Sequence, residues 1–508
     1  MKRNTNTYIL TVLASLIFAA CSSPTVPEHY TQANTKPTIY PDYTDVTIPP
    51  NIAPLNFKVL AHSNNCVARF TTPQGDQYTF GNGKDILIDE KDWKKMLQET
   101  QEGDIKVEIF AQNDQGEWTA YKPFCISVTT DSIDPYISYR LVNPSYVAYE
   151  GLSICQREMN SFDESEIYDN RLISEEDKGQ CINCHNYQNY STKNMQFHMR
   201  ENLGGTMIVH NGSAHKVDLK TDSTISAGVY PAWHPTLSLI AYSTDKTGQS
   251  FHTKNRNKIE VQDTQSDLIL YDVEKNEVQN IANREDQFEC FPTWTPDGRE
   301  LYYCSAYFDF EQDTAPHEEQ IIRRYKDIKY NIYKRSFNVS NHSFGSEQLV
   351  YDARSKGLSA TFPRISPDGR YLLFAAGAYG CFHVWHNDAD LYVKDLKNGQ
   401  VRNLGAANSN RAESYHAWSS NGRWIMFISR RDDGNYSRLY FSYFDRKGKE
   451  HKAFELPQKD PDFYDFSLYS YNVPEFMKEP VKISPRTFAS AAKKEAKKAI
   501  FKSGRISR

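Results

Sequence analysis

Along most of this chain, apolar and polar residues alternate with a period of two, in short runs broken by turn residues, as in strands that bury one face. Runs at 55–61, 66–71, 77–80, 86–88, 104–111 and 123–128 follow this pattern, separated by Asn64-Asn65, by Pro73-Gln74-Gly75-Asp76 and by Gly81-Asn82-Gly83. Residues 90–100 break it with a helical period. Residues 51–130 are therefore expected to form a small Ig- or fibronectin-like β-sandwich. The Pro-, Thr- and Tyr-rich stretch 22–50 has no period and reads as an extended linker.

Further on, the alternation becomes a repeat. Tyr230-Pro231-Ala232-Trp233, Phe291-Pro292-Thr293-Trp294, Phe362-Pro363-Arg364-Ile365 and Tyr415-His416-Ala417-Trp418 each open an apolar strand, and three of the four lead into an Asp-Gly or Asn-Gly turn. The turns are Asp297-Gly298, Asp368-Gly369 and Asn421-Gly422, and a second apolar strand follows in each copy, which is a short-range hairpin signal. Second hairpins are expected around 267–273, 390–396 and 438–444, and two hairpins make a four-stranded blade. The copies start 61, 71 and 53 residues apart, which places polar insertions at 245–266 and 309–329.

This pattern resembles the propeller of TolB-type proteins and their Pro-Asp-Gly-Arg blade repeat, over roughly residues 225–460. The fold expected is all-β: a β-propeller of five to six blades over 206–483, preceded by the sandwich. Residues 131–205 are expected to be either a divergent first blade carrying a long insertion or a separate mini-domain. The Lys- and Ala-rich tail 484–508 reads as a solvated, frayed terminus, with a basic helix against an anionic lipid surface or a partner as the alternative.

Lys2 and Arg3 precede an apolar run over 8–20 that is too short for a membrane span and reads as an export signal. The run ends Phe18-Ala19-Ala20-Cys21, which resembles a bacterial lipoprotein cleavage box. The resemblance implies a signal peptide over 1–21, with Cys21 the lipidated first residue of the mature protein. The expected location is the bacterial cell envelope, lipid-anchored at the outer membrane and facing the periplasm. A formal charge of -5 on 508 residues gives no electrostatic footprint for nucleic acid.

Between sandwich and repeats lies Cys181-Ile182-Asn183-Cys184-His185. Two thiols able to add to the two vinyl groups of haem, followed at once by an imidazole, form the c-type haem attachment signature, and shuffling this composition would produce it with a chance of about 0.5 %. A structural disulfide, a redox pair or half of a zinc site are the other uses of such spacing. Export favours haem, because covalent attachment takes place outside the bacterial cytoplasm. One covalent haem c is expected, with thioethers at Cys181 and Cys184 and His185 as proximal iron ligand. Met195-Gln196-Phe197-His198-Met199 offers the second axial ligand. If this segment is helical, Met195 and Met199 share a face, so Met199 is the first candidate and His198 the alternative, with His210 and His215 further off. Tyr187, Tyr190 and Phe197 are candidates to wall the ring.

Of the remaining cysteines, Cys66, Cys125, Cys155, Cys290, Cys304 and Cys381, the pair Cys290 and Cys304 flank a predicted hairpin and are the expected neighbours. His383, His386 and Asp388 read as a polar network. The chain has no Gly-x-Ser-x-Gly elbow and no His-Glu-x-x-His, and an electron carrier rather than a catalyst is expected. The architecture resembles exported propeller lipoproteins described as cytochrome c assembly or TolB-like factors. That implies periplasmic or membrane redox and envelope proteins as partners, beside a respiratory multihaem complex. The other function class is a haem-free interaction scaffold.

Overall fold

The computed structural model describes residues 24–502 apart from 62, 64, 82, 144–150, 174–179, 256 and 313–314. The export signal, Cys21 and residues 503–508 lie outside the described residues.

The N-terminal part is a seven-stranded sheet and a three-stranded sheet around one helix. The helix, Glu90–Thr100, starts at Asp89, whose carboxylate accepts the backbone N–H of Lys91 and Asp92 and so satisfies two orphan donors of the first turn. Its Trp93, Met96 and Leu97 are buried in the same apolar cluster as Phe57, Phe70 and Ile126. The stretch expected to be a linker belongs to this body. Thr31–Gln32 pairs in parallel with Trp118–Ala120, Ile39–Tyr40 pairs with Phe57–Val59, and Thr47–Ile48 pairs with Phe124–Val128. Tyr43, Val46 and Ile48 are fully buried. Proline content suggested extension, and the buried side chains between the prolines decide what the segment packs on.

The rest is propeller-like, built of consecutive four-stranded antiparallel units, each with an inner strand near a common axis. The inner strands are Gln180–Gln188, Val229–Trp233, Gln287–Trp294, Ser359–Ile365, Glu413–Trp418 and Ser470–Met477. Each touches the next in that order, and the last touches the first. Five units run outward in chain order. The sixth is composite: Ser470–Met477 pairs with Tyr136–Val142, which continues into Ser153–Glu158 and Glu164–Asp169. Both chain regions thus share one sheet, leaving no inner edge unpaired there.

One backbone device recurs on every inner strand. Cys184, Tyr230, Phe291, Phe362, Tyr415 and Val473 have φ of 53°, 48°, 55°, 54°, 41° and 45°, in the left-handed region, and each sits at a register shift of its strand pair. Such a bulge turns one side chain out of the sheet plane, here toward the axis. The turn glycine Gly298, at φ 68°, is tightly held: a Cβ there would lie 2.3 Å from the ring of His234.

Three further expectations change. The pentapeptide Cys181–His185 is part of the inner strand of the first unit, Gln180–Gln188, Ser191–Glu201, Gly205–His210 and Ser213–Asp218, and not of an insertion or mini-domain. The insertion expected at 245–266 is a continuous hairpin, Leu239–Phe251 with Ile259–Asp272, that projects beyond its unit. The tail is ordered through residue 502: Ser484 caps the helix Pro485–Ala492, whose Phe488 packs on Phe197 and Tyr168 at 5.3 and 6.5 Å between ring centroids. Lys497–Lys498 and Ile500–Phe501 then extend the outer edges of the first and second units.

Candidate functional site

Four of the six inward-turned side chains are aromatic, and they follow one another around the axis. Ring centroids are 4.5 Å apart for Tyr230 and Phe291, 4.3 Å for Phe291 and Phe362, and 4.6 Å for Phe362 and Tyr415. The other two positions carry the small side chains of Cys184 and Val473. Where the aromatics pack, the axis is filled; beside Cys184 and Val473 it opens into a cavity of about 1050 Å³. Sequence reasoning missed Cys184 and Val473 as repeat positions, because neither has the aromatic residue by which the other copies are recognised.

Cys181, Cys184 and His198 line this cavity, with Tyr230, Tyr415 and Phe382 among the ring surfaces and Arg140, Arg200 and Lys220 among the cations. Thr247, Gln249 and Val261 of the projecting hairpin overhang it. Asn183 donates to the Cys181 sulfur at 3.3 Å, and Arg140 donates to the Ile182 carbonyl at 2.7 Å, which fixes the strand from the sixth unit. Burial raises the Cys184 thiol above its ordinary value, so the residue is a neutral thiol at neutral pH.

His185 is 1 % exposed, and neither ring nitrogen makes a well-formed hydrogen bond. It lines a smaller space of about 40 Å³ on the axis, together with His416, Arg364 and Glu475, and Cys184 and Tyr230 border both spaces. Burial, followed by the Arg140 charge, holds His185 at about 3, so the ring is neutral with a lone pair free. His416 follows the bulge of the fifth unit as His185 follows that of the first, and burial holds it at about 3 as well.

The segment 195–199 is strand, not helix, so its side chains alternate. Met195, Phe197 and Met199 share the face packed in the apolar cluster with Ile182 and Tyr187, while His198 lies opposite Asn183 on the other face. Tyr187 and Phe197 therefore fill the core between units and do not wall the cavity. His210 and His215 stand on the outer strands Gly205–His210 and Ser213–Asp218. Cys290 and Cys304 are direct cross-strand partners, both buried and both free thiols. His383 bonds to Thr361 at 2.9 Å and His386 to Glu260 at 3.1 Å, a network that ties the projecting hairpin to the fourth unit.

A haem is implied by the pentapeptide, and these residues fit it in three respects. Both thiols border one cavity, the cavity is at the upper end of the size range of small-molecule and cofactor sites, and the His185 imidazole is neutral, though it lines the smaller space of about 40 Å³ and not this cavity. Among the described residues, no three His, Cys, Asp or Glu side chains are grouped to hold a metal ion, and no helix is long and apolar enough to cross a membrane.

Neither a protein-family model nor a curated protein matches the chain. Solved structures are similar to it at low identity. Prolyl oligopeptidase B from Galerina marginata is 9 % identical, over 63 % of this chain and 44 % of that one, with a TM-score of 0.36. The tricorn protease is 11 % identical over 80 % of this chain and 43 % of that one, with a TM-score of 0.35. An oligogalacturonate lyase in complex with manganese is 11 % identical over 68 % and 87 %, with a TM-score of 0.30. The chain thus spans less than half the length of the prolyl oligopeptidase. These solved structures are of enzymes, which runs against the expectation of a carrier rather than a catalyst, and at these identities and TM-scores the likeness assigns no activity to this chain.

Proposed function

We propose that this chain is an exported, lipid-anchored protein of the bacterial envelope that holds one covalent haem c at the mouth of a six-bladed propeller, and that it relays electrons to, or assembles with, a respiratory multihaem complex. The observation that carries the reading is that Cys181 and Cys184 both border a cavity of about 1050 Å³, followed in the strand by His185, an imidazole that is buried and neutral and lines the smaller space beside it.

In this reading Cys181 and Cys184 would hold the group through two thioether links, and His185 would offer a ligand to its iron. The bound group would supply reversible one-electron chemistry. The chain's own part is to hold and shield. The bulge at Cys184 aims its sulfur toward the axis, and His185 offers a ring nitrogen. Arg140, Arg200 and Lys220 place positive charge where acidic groups on a cofactor rim would be matched. Tyr230, Tyr415 and Phe382 supply ring surface against solvent.

A haem-free envelope scaffold is the second reading, and one observation favours it: Cys184 occupies the same bulge position as Tyr230, Phe291, Phe362 and Tyr415, so the repeat alone accounts for its place. Co-expression of the full chain with a cytochrome c maturation system separates the two. Haem that stays with the denatured polypeptide, and is lost in Cys181→Ala/Cys184→Ala, supports the first. Folded, exported protein without a haem stain leaves the second.

A further inference from the structure

The axis has a second mouth, and we infer that it is a binding site for a neutral sugar unit. This site stands apart from the haem reading above. The large cavity is lined by bulge residues of the inner strands and by residues before them, such as Cys181, Asn183, Val229 and Asn472. Two places beyond the bulges stand Asn186, Ala232, Thr293, Arg364, Ala417 and Glu475, and all six line a different cavity of about 390 Å³, within the size range of small-molecule sites. The two cavities have no lining residue in common.

The chemistry of the lining selects the ligand. Its two charged side chains, Arg364 and Glu475, are bonded to each other at 3.0 Å, and Asn186 donates to the same carboxylate oxygen at 3.2 Å. The mouth therefore carries no net charge, and an ion or zwitterion would have to break this pair to be matched. Thr293 and Tyr190 add hydroxyls and Asn189 an amide, so donors and acceptors stand side by side. Sugar hydroxyls, each donor and acceptor at once, suit such a set. Trp233, Trp294 and Trp418 wall the cavity with apolar surface for C–H groups. Two of the indoles are fixed from the preceding unit: Trp294 donates to the Ala232 carbonyl at 3.0 Å and Trp418 to that of Arg364 at 3.2 Å. Tyr190, expected on a haem wall, stands at this mouth instead. With Asn189 it forms the two-residue turn between Gln180–Gln188 and Ser191–Glu201, at φ 47° and 66°. Such a turn favours Asn and then Gly, so a tyrosine in the second place costs backbone strain, as residues at ligand sites often do. Lys478 holds it by donating its N–H to the Tyr190 carbonyl at 3.0 Å. Burial, followed by Asp134 and Glu475, raises the phenol, which stays protonated and able to donate.

The test is isothermal titration calorimetry of the full chain with single probes: glucose, galactose, mannose, xylose, N-acetylglucosamine, cellobiose, lactose and chitobiose, with glucuronate, glycine and diglycine as charged probes. The expected result is saturable binding of at least one neutral sugar and of none of the charged probes. Tyr190→Phe and Thr293→Val each remove one hydroxyl at nearly unchanged shape and should weaken that sugar several-fold. Arg364→Ala should weaken it by roughly tenfold or more, the loss of a hydrogen bond to a charged group. Should Arg364→Ala not fold, Arg364→Lys serves instead, because it keeps the charge and loses the planar fork. A chain that binds none of the neutral sugars overturns the inference, and so does one that binds glucuronate, glycine or diglycine more tightly than any of them. Sugar binding that is unchanged in folded Tyr190→Phe, Thr293→Val and the Arg364 variant places the sugar elsewhere on the chain and overturns it as well.

Discussion

Glu289 offers a quantitative test of the buried architecture. It sits on the inner strand Gln287–Trp294 with 0 % exposure, and burial followed by the nearby Asp267 raises its carboxyl from 4.5 to about 9. At neutral pH the folded chain therefore holds this group protonated, whereas the unfolded chain releases the proton above about 4.5. The folded state binds more protons between these two values, so stability must fall as pH rises through that window. At 1.36 kcal/mol per pH unit, the loss accumulated by pH 7 is about 3 kcal/mol. Glu289→Gln keeps the size and polarity of the side chain and removes the titration. Urea denaturation of wild type and Glu289→Gln at about pH 5, 7 and 8.5 should give nearly equal stabilities at the lowest pH. The variant should then be increasingly the more stable of the two toward the highest, by kilocalories rather than tenths. Parallel pH profiles for the two proteins would refute the reasoning, because they would mean that Glu289 is ionised, or already compensated, in the folded chain.

Three other outcomes are expected. Phe362→Ala removes the ring that touches both Phe291 and Tyr415 on the axis, and should lower stability by about 3–5 kcal/mol, read as a lowered midpoint in chemical denaturation; a change below 1 kcal/mol would mean that the aromatic ring is not tightly packed. Ending the chain after Tyr469 removes the strand that pairs with Tyr136–Val142 and leaves that edge unpaired, so size-exclusion chromatography should show aggregates and no monomer. In haem-free protein at neutral pH, alkylation mapped by peptide mass should reach the half-buried Cys181 well before Cys290, Cys304 and Cys381, whose thiols burial raises far above their ordinary value; equal labelling would contradict the packed inner strands.

The repeat was legible because its signals are local. An aromatic residue, a proline or histidine after it and an Asp-Gly or Asn-Gly turn lie within one hairpin, and each acts through its own backbone preferences. The helix at 90–100 was legible for the same reason, through Asp89 and a helical period. The first and sixth units were not, because Cys184 and Val473 replace the aromatic residue and their strands lack the turn. The period of 195–199 was not legible either: a helix joins residues four apart on a face, and the strand observed there joins residues two apart.

The sequence by itself determined the strand-forming pattern, the repeat and the chemistry on offer at Cys181, Cys184 and His185, since each depends on residues close together in the chain. Only the tertiary structure decided that Ser470–Met477 completes a sheet begun at Tyr136, that 31–48 belongs to the sandwich, and that two small side chains leave an opening beside four aromatic ones. These are pairings across hundreds of residues and choices of sheet face. They are settled by which apolar surfaces can be buried together once the ring closes, and no local preference encodes that.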